Sequence, residues 1–276
     1  MLLSSCSTQS LVTRAMADAL ASQSQSNEVD LQLAREASAF YLKLSESVLE
    51  QTPAHTALAT SVSSGFTQYA YAFVAFEAEK LETQDVRAAQ QQRRRAALLY
   101  DRAKQHGLRA LTLQQPDLLT ALASEREVPL RTDQVGLAFW TAAAWAASIS
   151  LSKDQPERVA DLPQVLRLAQ AADALAPSHD EGALASLLGT LEASRPGGSA
   201  ERAADYFARS AQSSAGRSAG VYVAEAEALA LPAGDRMRFE ALLQQALQVA
   251  QTHRNLSNEV MRERAQWLLN TLDDRF

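Results

Sequence analysis

Apolar residues recur along this chain at the three- and four-residue spacing of α-helices. No long stretch alternates apolar and polar residues, as a half-buried β-strand would. The most frequent residues include Ala, Leu, Gln, Glu and Arg, which favour helices, whereas the β-branched residues include a single isoleucine, Ile149. The sequence therefore predicts an all-α protein of about eleven helices joined by short loops.

A spacing pattern at positions i, i+4 and i+7 recurs in four of the predicted helices. Its last three copies begin at Val165, Ala203 and Phe239, which are 38 and 36 residues apart, close to the roughly 34-residue period of tetratricopeptide repeats. The Trp, Leu and Gly signature of the first repeat helix is absent, so the units are degenerate. We expect a right-handed array of stacked helix–turn–helix pairs with a concave binding surface. The four copies are Ala96-Tyr100-Ala103, Val165-Ala169-Ala172, Ala203-Phe207-Ser210 and Phe239-Leu243-Ala246.

The first residues carry the form of a lipoprotein signal. In Leu3-Ser4-Ser5-Cys6, a leucine lies three positions before the cysteine and small residues directly precede it. No basic or long apolar segment comes before this motif. Either translation starts upstream, or Cys6 is a free thiol in a flexible N-terminus. Cys6 is the one cysteine of the chain, which excludes a disulfide framework and a thiolate zinc site.

We expect lipidation at Cys6 and a flexible tether over residues 1–27, followed by a single all-α helical-repeat domain over residues 28–276. A lipid on Cys6 would place the protein in the periplasm, held to a membrane through this N-terminal anchor only.

Charge and motif content argue against several classes of function. The net charge of −6 and the pI near 5.3 disfavour nucleic acids and anionic membrane surfaces, because both call for a basic face. The sequence has no HExxH, GxSxG, Walker A or GxGxxG motif, and its four histidines are far apart. His179-Asp180-Glu181 is interpreted as a helix start whose charges suit the helix dipole. We expect no catalytic residues, no metal site and no cofactor.

Two uncharged stretches, residues 56–76 and 134–152, approach the length of a membrane span. Ala, Ser, Thr and Gly make up much of both, so the strongly apolar runs are short. We interpret both stretches as buried helices whose small residues let neighbouring helices approach closely.

Aromatic residues in these two stretches are the candidates for a binding site. Phe66, Tyr69 and Phe73 share one helix face by their spacing, and Gln68 is a polar group that needs a partner when it is buried. Two interpretations stay open, either simple core packing or the wall of an apolar cavity or pore. Under the second, the ligand- or partner-binding residues are Phe66, Gln68, Tyr69, Phe73, Trp140 and Trp145.

Six segments, in the same order and spread over nearly the whole chain, resemble the TatT-type T components associated with TRAP transporters. The segments are Ser64 to Val74, Leu99-Tyr100 through Arg109, Phe139 through Asp154, Val159 to Pro163, Arg195-Pro196-Gly197-Gly198 and Gln266-Trp267-Leu268-Leu269.

This resemblance implies a periplasmic lipoprotein made with a signal peptide, built from degenerate tetratricopeptide-like helices and lacking catalytic residues. It also implies a homotrimer with pores or clefts, the periplasmic solute-binding protein of a TRAP system as partner, and an apolar small molecule as ligand. The predicted function is therefore a non-enzymatic accessory role in TRAP-type solute uptake. The alternative is a soluble helical-repeat scaffold, unrelated to transport, that binds a peptide or helix in its groove.

Overall fold

The computed structural model describes residues 8–23, 28–124 and 126–276. The protein is 79% helical and the described residues contain no strand, which confirms the all-α prediction. Cys6 and residues 24–27 of the predicted tether lie outside the described residues, and so do the other residues of the lipobox.

Fourteen α-helical segments follow one another in the described residues, and π-helical turns at Tyr71–Ala75 and Ala226–Ala230 interrupt or extend two of them. When α3 and α4 are taken as one helix and the four-residue α8 is set aside, there are 12 helices, close to the predicted number. The segments are α1 (Thr8–Ser22), α2 (Leu31–Gln51), α3 (Thr56–Ala70), α4 (Phe76–Leu81), α5 (Val86–Gln114), α6 (Leu118–Leu122), α7 (Val135–Ser150), α8 (Pro156–Val159), α9 (Leu162–Leu175), α10 (Ala183–Ser194), α11 (Ala200–Ser213), α12 (Ala219–Glu225), α13 (Arg236–Thr252) and α14 (Leu256–Asn270).

The first of two compact units contains α1, most of α2 and α3 to α7. Helices α3 and α5 pack along each other. Near the π-helical turn, Ala70 and Val74 form a buried cluster with Ala96 and Tyr100 of α5, and Ala147 of α7 packs against it. Small side chains dominate this contact, so the helix axes can approach closely.

Helix α1 packs on α3 and occupies most of the segment interpreted above as a tether. Ala17 and Leu20 are buried, and Nε2 of His55 lies 2.8 Å from the carboxylate of Asp18. The role of this segment as a tether stays a prediction.

The second unit contains α8 to α14 together with residues 28–34 and 131–135. Its main contacts are between consecutive helices, α10 with α11 and α13 with α14. The three repeat copies in this unit lie entirely in the buried stripes of α9, α11 and α13, as their spacing predicts. The right-handed repeat arrangement and the single domain from residue 28 onward stay predictions.

Helix α5 does not end at Gly107, where a glycine C-cap is a natural expectation. It continues to Gln114, and Gly107 is buried in mid-helix. A Cβ on Gly107 would lie 2.0 Å from Oγ1 of Thr141 on α7. The glycine therefore permits a close crossing between α5 and α7 and does not terminate a helix.

Among the described residues, no helix combines the length and the apolar character needed to cross a membrane. The two uncharged stretches form α3 and α7, which bury Leu58, Val62 and Phe66 in the first case and Leu137, Ala142 and Trp145 in the second. Their interpretation as buried helices is consistent with this packing.

Candidate functional site

The six residues proposed for binding differ in exposure. Phe66 and Trp145 are buried, whereas Tyr69, Phe73 and Trp140 are half-buried. Gln68 is exposed, because it lies on the opposite side of α3 from the buried Phe66 and Ala70. Water can therefore satisfy its amide, and Gln68 needs no partner inside the protein.

The aromatic rings of α3 and α7 are placed against cationic side chains of α5. The ring of Phe66 stacks on the imidazole of His106, with 6.3 Å between centroids and 15° between planes. The guanidinium of Arg102 lies 5.1 Å from the same ring, and Nζ of Lys104 lies 5.6 Å from the ring of Trp145. Such cation–π contacts are typically worth about 0.5–1 kcal/mol when exposed and more when desolvated.

The half-buried rings form separate local pairs. Tyr69 and Phe73 meet edge to face with 5.6 Å between centroids. Trp140 packs at a tilt against the neighbouring Phe139, at 4.7 Å. The structure thus groups Phe66 and Trp145 with α5, pairs Tyr69 with Phe73, and leaves Trp140 beside Phe139.

A buried carboxylate, Glu46, stands at the centre of a charged network that sequence reasoning missed. Its side chain is 2% exposed and accepts two hydrogen bonds from Arg102, one from Lys43 at 2.5 Å, and lies 2.7 Å from Nε2 of His106. Burial by itself raises the pKa of Glu46, but the hydrogen bonds from Arg102, Lys43 and His106 outweigh it and lower the pKa to about 2. Apolar spacing alone did not indicate that Glu46 is buried, since Leu33 and Phe40 of the same helix are 52% and 75% exposed.

This network holds α2, α3 and α5 together. Glu46 belongs to α2, Arg102 and His106 belong to α5, and both α5 groups contact Phe66 of α3. Since Glu46 stays ionised and is surrounded by donors, it is suited to positioning these side chains and not to proton transfer. A small depression beside the network is lined by Leu49, Glu50, Pro53, His106 and Arg109.

No group of three or more His, Cys, Asp or Glu side chains within the described ranges could hold a metal ion. His179-Asp180-Glu181 forms a short 3-10 turn in which Asp180 and Glu181 have positive φ. Glu181 accepts a hydrogen bond from Arg217 at 2.7 Å. The turn precedes α10, as predicted, but its backbone is left-handed and Glu181 has a specific partner.

Comparison with known proteins shows the family of the chain and a relative. The model of the family described as TRAP transporter T-component matches residues 27–276. A protein of Treponema pallidum (strain Nichols), described as an uncharacterized protein, is 29% identical over 266 residues, which cover 90% of this chain and 81% of the relative.

Proposed function

The chain belongs to the family of TRAP transporter T-components, and on this premise we propose that it is a lipid-anchored periplasmic protein that binds the solute-binding component of a TRAP system. An accessory role in TRAP transport follows from the family itself, which is not known for enzymatic activity. The match over residues 27–276 is the observation that carries the proposal.

The half-exposed aromatic residues are the proposed contacts for an apolar ligand. Tyr69, Phe73 and Trp140 keep part of each ring at the surface, and rings of this kind supply large contact area at low entropic cost. Phe66 and Trp145 are buried against α5 and hold the helices that carry these rings. A ligand bound to these rings would cover their exposed parts during its transfer to or from the solute-binding protein.

An N-terminal lipid at Cys6 is the proposed anchor. Helix α1 begins at Thr8, and its outward side chains Leu11, Val12 and Met16 are exposed. An apolar helix surface this close to a lipid-modified cysteine is suited to the membrane interface. Assembly into a homotrimer is part of the same proposal and predicts a threefold mass by light scattering.

Two measurements test the proposal. Metabolic labelling with palmitate, in a form carrying a signal peptide, is expected to label the native chain and not Cys6→Ser. Calorimetry with the purified TRAP solute-binding protein of the same organism is expected to show a one-to-one complex per chain. Labelling without binding would overturn the proposed partner and support the lipid anchor. Binding without labelling would support the partner and overturn the lipid anchor.

A further inference from the structure

Most arginines outside α5 are matched to a carboxylate. Glu192 accepts hydrogen bonds from Arg195 and Arg202, and Glu259 accepts from Arg254 and Arg262. Further pairs join Arg209 to Asp173, Arg217 to Glu181, Arg236 to Glu240 and Asp273, Arg238 to Glu225 and Arg264 to Glu227.

Helix α5 is different. It carries six arginines and Lys104 against one acidic residue, Asp101, in a chain whose net charge is −6. Arg93 pairs with Glu82, Arg102 with Glu46 and Lys104 with Asp101. Among the described residues, the other four arginines of α5 have no carboxylate within ion-pair distance; they are Arg87, Arg94, Arg95 and Arg109.

These four arginines share one face of the helix with an exposed leucine. Arg94 follows Arg87 by seven residues, Leu98 follows Arg94 by four, and Arg109 follows Leu98 by eleven. Arg87, Arg94, Leu98 and Arg109 therefore project in nearly the same direction, and Arg95 lies beside them. Leu98 is 69% exposed. We call Arg87, Arg94, Arg95, Leu98 and Arg109 the arginine face.

The arginine face lies opposite the buried side of α5. The buried side consists of Ala89, Ala96, Tyr100, Ala103, Gly107, Ala110 and Leu111, about half a turn away from the arginines. From Arg87 to Arg109 the face is about 33 Å long at about 1.5 Å per residue. A face of this length is long enough to span one side of a standard protein interface, which buries about 800 Å² per partner.

The arginine face contributes nothing evident to the stability of the helix. Like charges at neighbouring positions repel one another, and Arg87 lies in the first turn, where the helix dipole disfavours a cation. A leucine left largely in water adds no burial. Features that cost stability and remain exposed are typical of recognition surfaces.

We propose that the arginine face is the docking site for an acidic surface of the TRAP solute-binding protein; this rests on the proposed function, which names that partner. Charge complementarity selects the occupant, since an acidic protein face would neutralise four guanidinium groups that have no carboxylate partner in the described part of the chain. Arginine is enriched at protein interfaces and among the residues that dominate binding, and Leu98 would add apolar contact area between the charges. The acidic remainder of the chain disfavours a nucleic acid or an anionic bilayer, which extend as polyanions beyond the face.

The test measures binding of the purified protein to the solute-binding protein of the same organism, at about 50 mM and about 200 mM salt. The variants are Arg94→Glu/Arg95→Glu and Leu98→Ala. The matched control is Arg14→Glu/Arg35→Glu, which makes the same charge change at two exposed arginines on α1 and α2 that have no carboxylate partner among the described residues. Circular dichroism melts check that each variant is folded.

We expect Arg94→Glu/Arg95→Glu to weaken binding by about 100-fold at low salt and to reduce the salt dependence, because long-range attraction is lost. Leu98→Ala is expected to weaken binding by about tenfold with unchanged salt dependence. The control variant stays within about threefold of the native protein.

The outcomes separate the two proposals. Native binding that Arg94→Glu/Arg95→Glu leaves unchanged would overturn the docking site and leave the proposed function intact. Absence of native binding at both salt concentrations would overturn the partner in the proposed function, and the docking site with it. If the double variant instead abolishes self-association, or adsorption to vesicles containing phosphatidylglycerol, while binding to the solute-binding protein persists, the face belongs to a second copy or to a membrane and the proposal is wrong.

Discussion

Gly107 of α5 lies directly against Thr141 of α7, so close that a Cβ on Gly107 would approach Oγ1 of Thr141 to 2.0 Å. Thr141 is fully buried, and its hydroxyl donates a hydrogen bond to the carbonyl oxygen of Leu137 at 2.6 Å. The hydroxyl therefore has a fixed direction, and the crossing of the two helices depends on the missing side chain at Gly107.

Gly107→Ala is expected to lower the free energy of unfolding by about 2–3 kcal/mol, because the overlap exceeds the roughly 1 kcal/mol gained in helix propensity. Urea denaturation measures this change in the free energy of unfolding. Gly220→Ala is the matched control, since a Cβ on Gly220 would meet its nearest neighbour, Met261, at 3.6 Å, an ordinary contact distance. This substitution should leave the free energy of unfolding unchanged or raise it slightly. Equal effects of the two substitutions would contradict a steric role for Gly107.

Glu46 is expected to make the stability of the protein depend on acidic pH. Its pKa in the folded protein is about 2, below the ordinary value of 4.5, so its contribution is complete above about pH 4.5 and is lost as the pH falls towards 2. Glu46→Gln should lower the unfolding free energy at pH 7 by about 2–3 kcal/mol, a range reduced for the partial exposure of Arg102. Urea midpoints at pH 7, 4 and 2.5 measure the difference, which should shrink towards the lowest pH.

Glu50→Gln is the control for Glu46, since Glu50 lies one turn further along α2 and is exposed. It should change the urea midpoint little at any of these pH values. A Glu46→Gln difference that stays constant from pH 7 to pH 2.5 would show that the carboxylate charge is not what holds α2 to α5.

Most of the helices were predictable because they bury a stripe with its own local periodicity. Phe207 and Phe239, for example, are fully buried, and both were identified by the i, i+4, i+7 pattern before any partner was known. The same spacing predicted the stripe of α5 around Tyr100. Periodicity within one helix is encoded over a few turns of chain, so a single sequence suffices to detect it.

The features that escaped prediction depend on residues far apart in the chain. Glu46 meets Arg102 and His106 across 56 and 60 positions. The role of Gly107 is not visible in the sequence, because a glycine at a helix terminus and one at a helix crossing look alike without the facing Thr141. The exposure of Gln68 was not evident either, because α3 lacks charge although one side of it faces solvent.

Asn258 is expected to be essential for the junction of α12 with α14. Its Oδ1 accepts from the backbone N–H of Ala219 at 2.9 Å, and its Nδ2 donates to the carbonyl oxygens of Arg217 at 2.9 Å and His253 at 2.6 Å. Asn258→Asp keeps the shape but replaces two donated hydrogen bonds with carboxylate–carbonyl repulsion in a buried place. The expected loss is about 3 kcal/mol in urea denaturation at pH 7.

The control for this change is Asn270→Asp at the end of α14, where the side chain is exposed and accepts a hydrogen bond from Gln266 at 3.0 Å. A carboxylate can still accept that bond, so its effect should stay within about 0.5 kcal/mol. If Asn258→Asp leaves the free energy of unfolding unchanged, the junction does not need the two donated hydrogen bonds.

Tyr69→Ala combined with Trp140→Ala is expected to reduce apolar-ligand binding while leaving the protein folded. Both rings are half-buried, so their removal should cost less stability than the roughly 3–5 kcal/mol typical of buried aromatic residues. Because the substitutions remove the aromatic contact area, the affinity for a fluorescent apolar probe such as ANS should fall by about tenfold or more.

Tyr206→Ala with Trp267→Ala is the matched control, because it removes the same residue types from half-buried positions in the second unit. Its probe affinity should match that of the native protein. If both double variants are folded and bind the probe as the native protein does, Tyr69 and Trp140 are packing residues, and the simple core interpretation of the aromatic residues on α3 and α7 is correct.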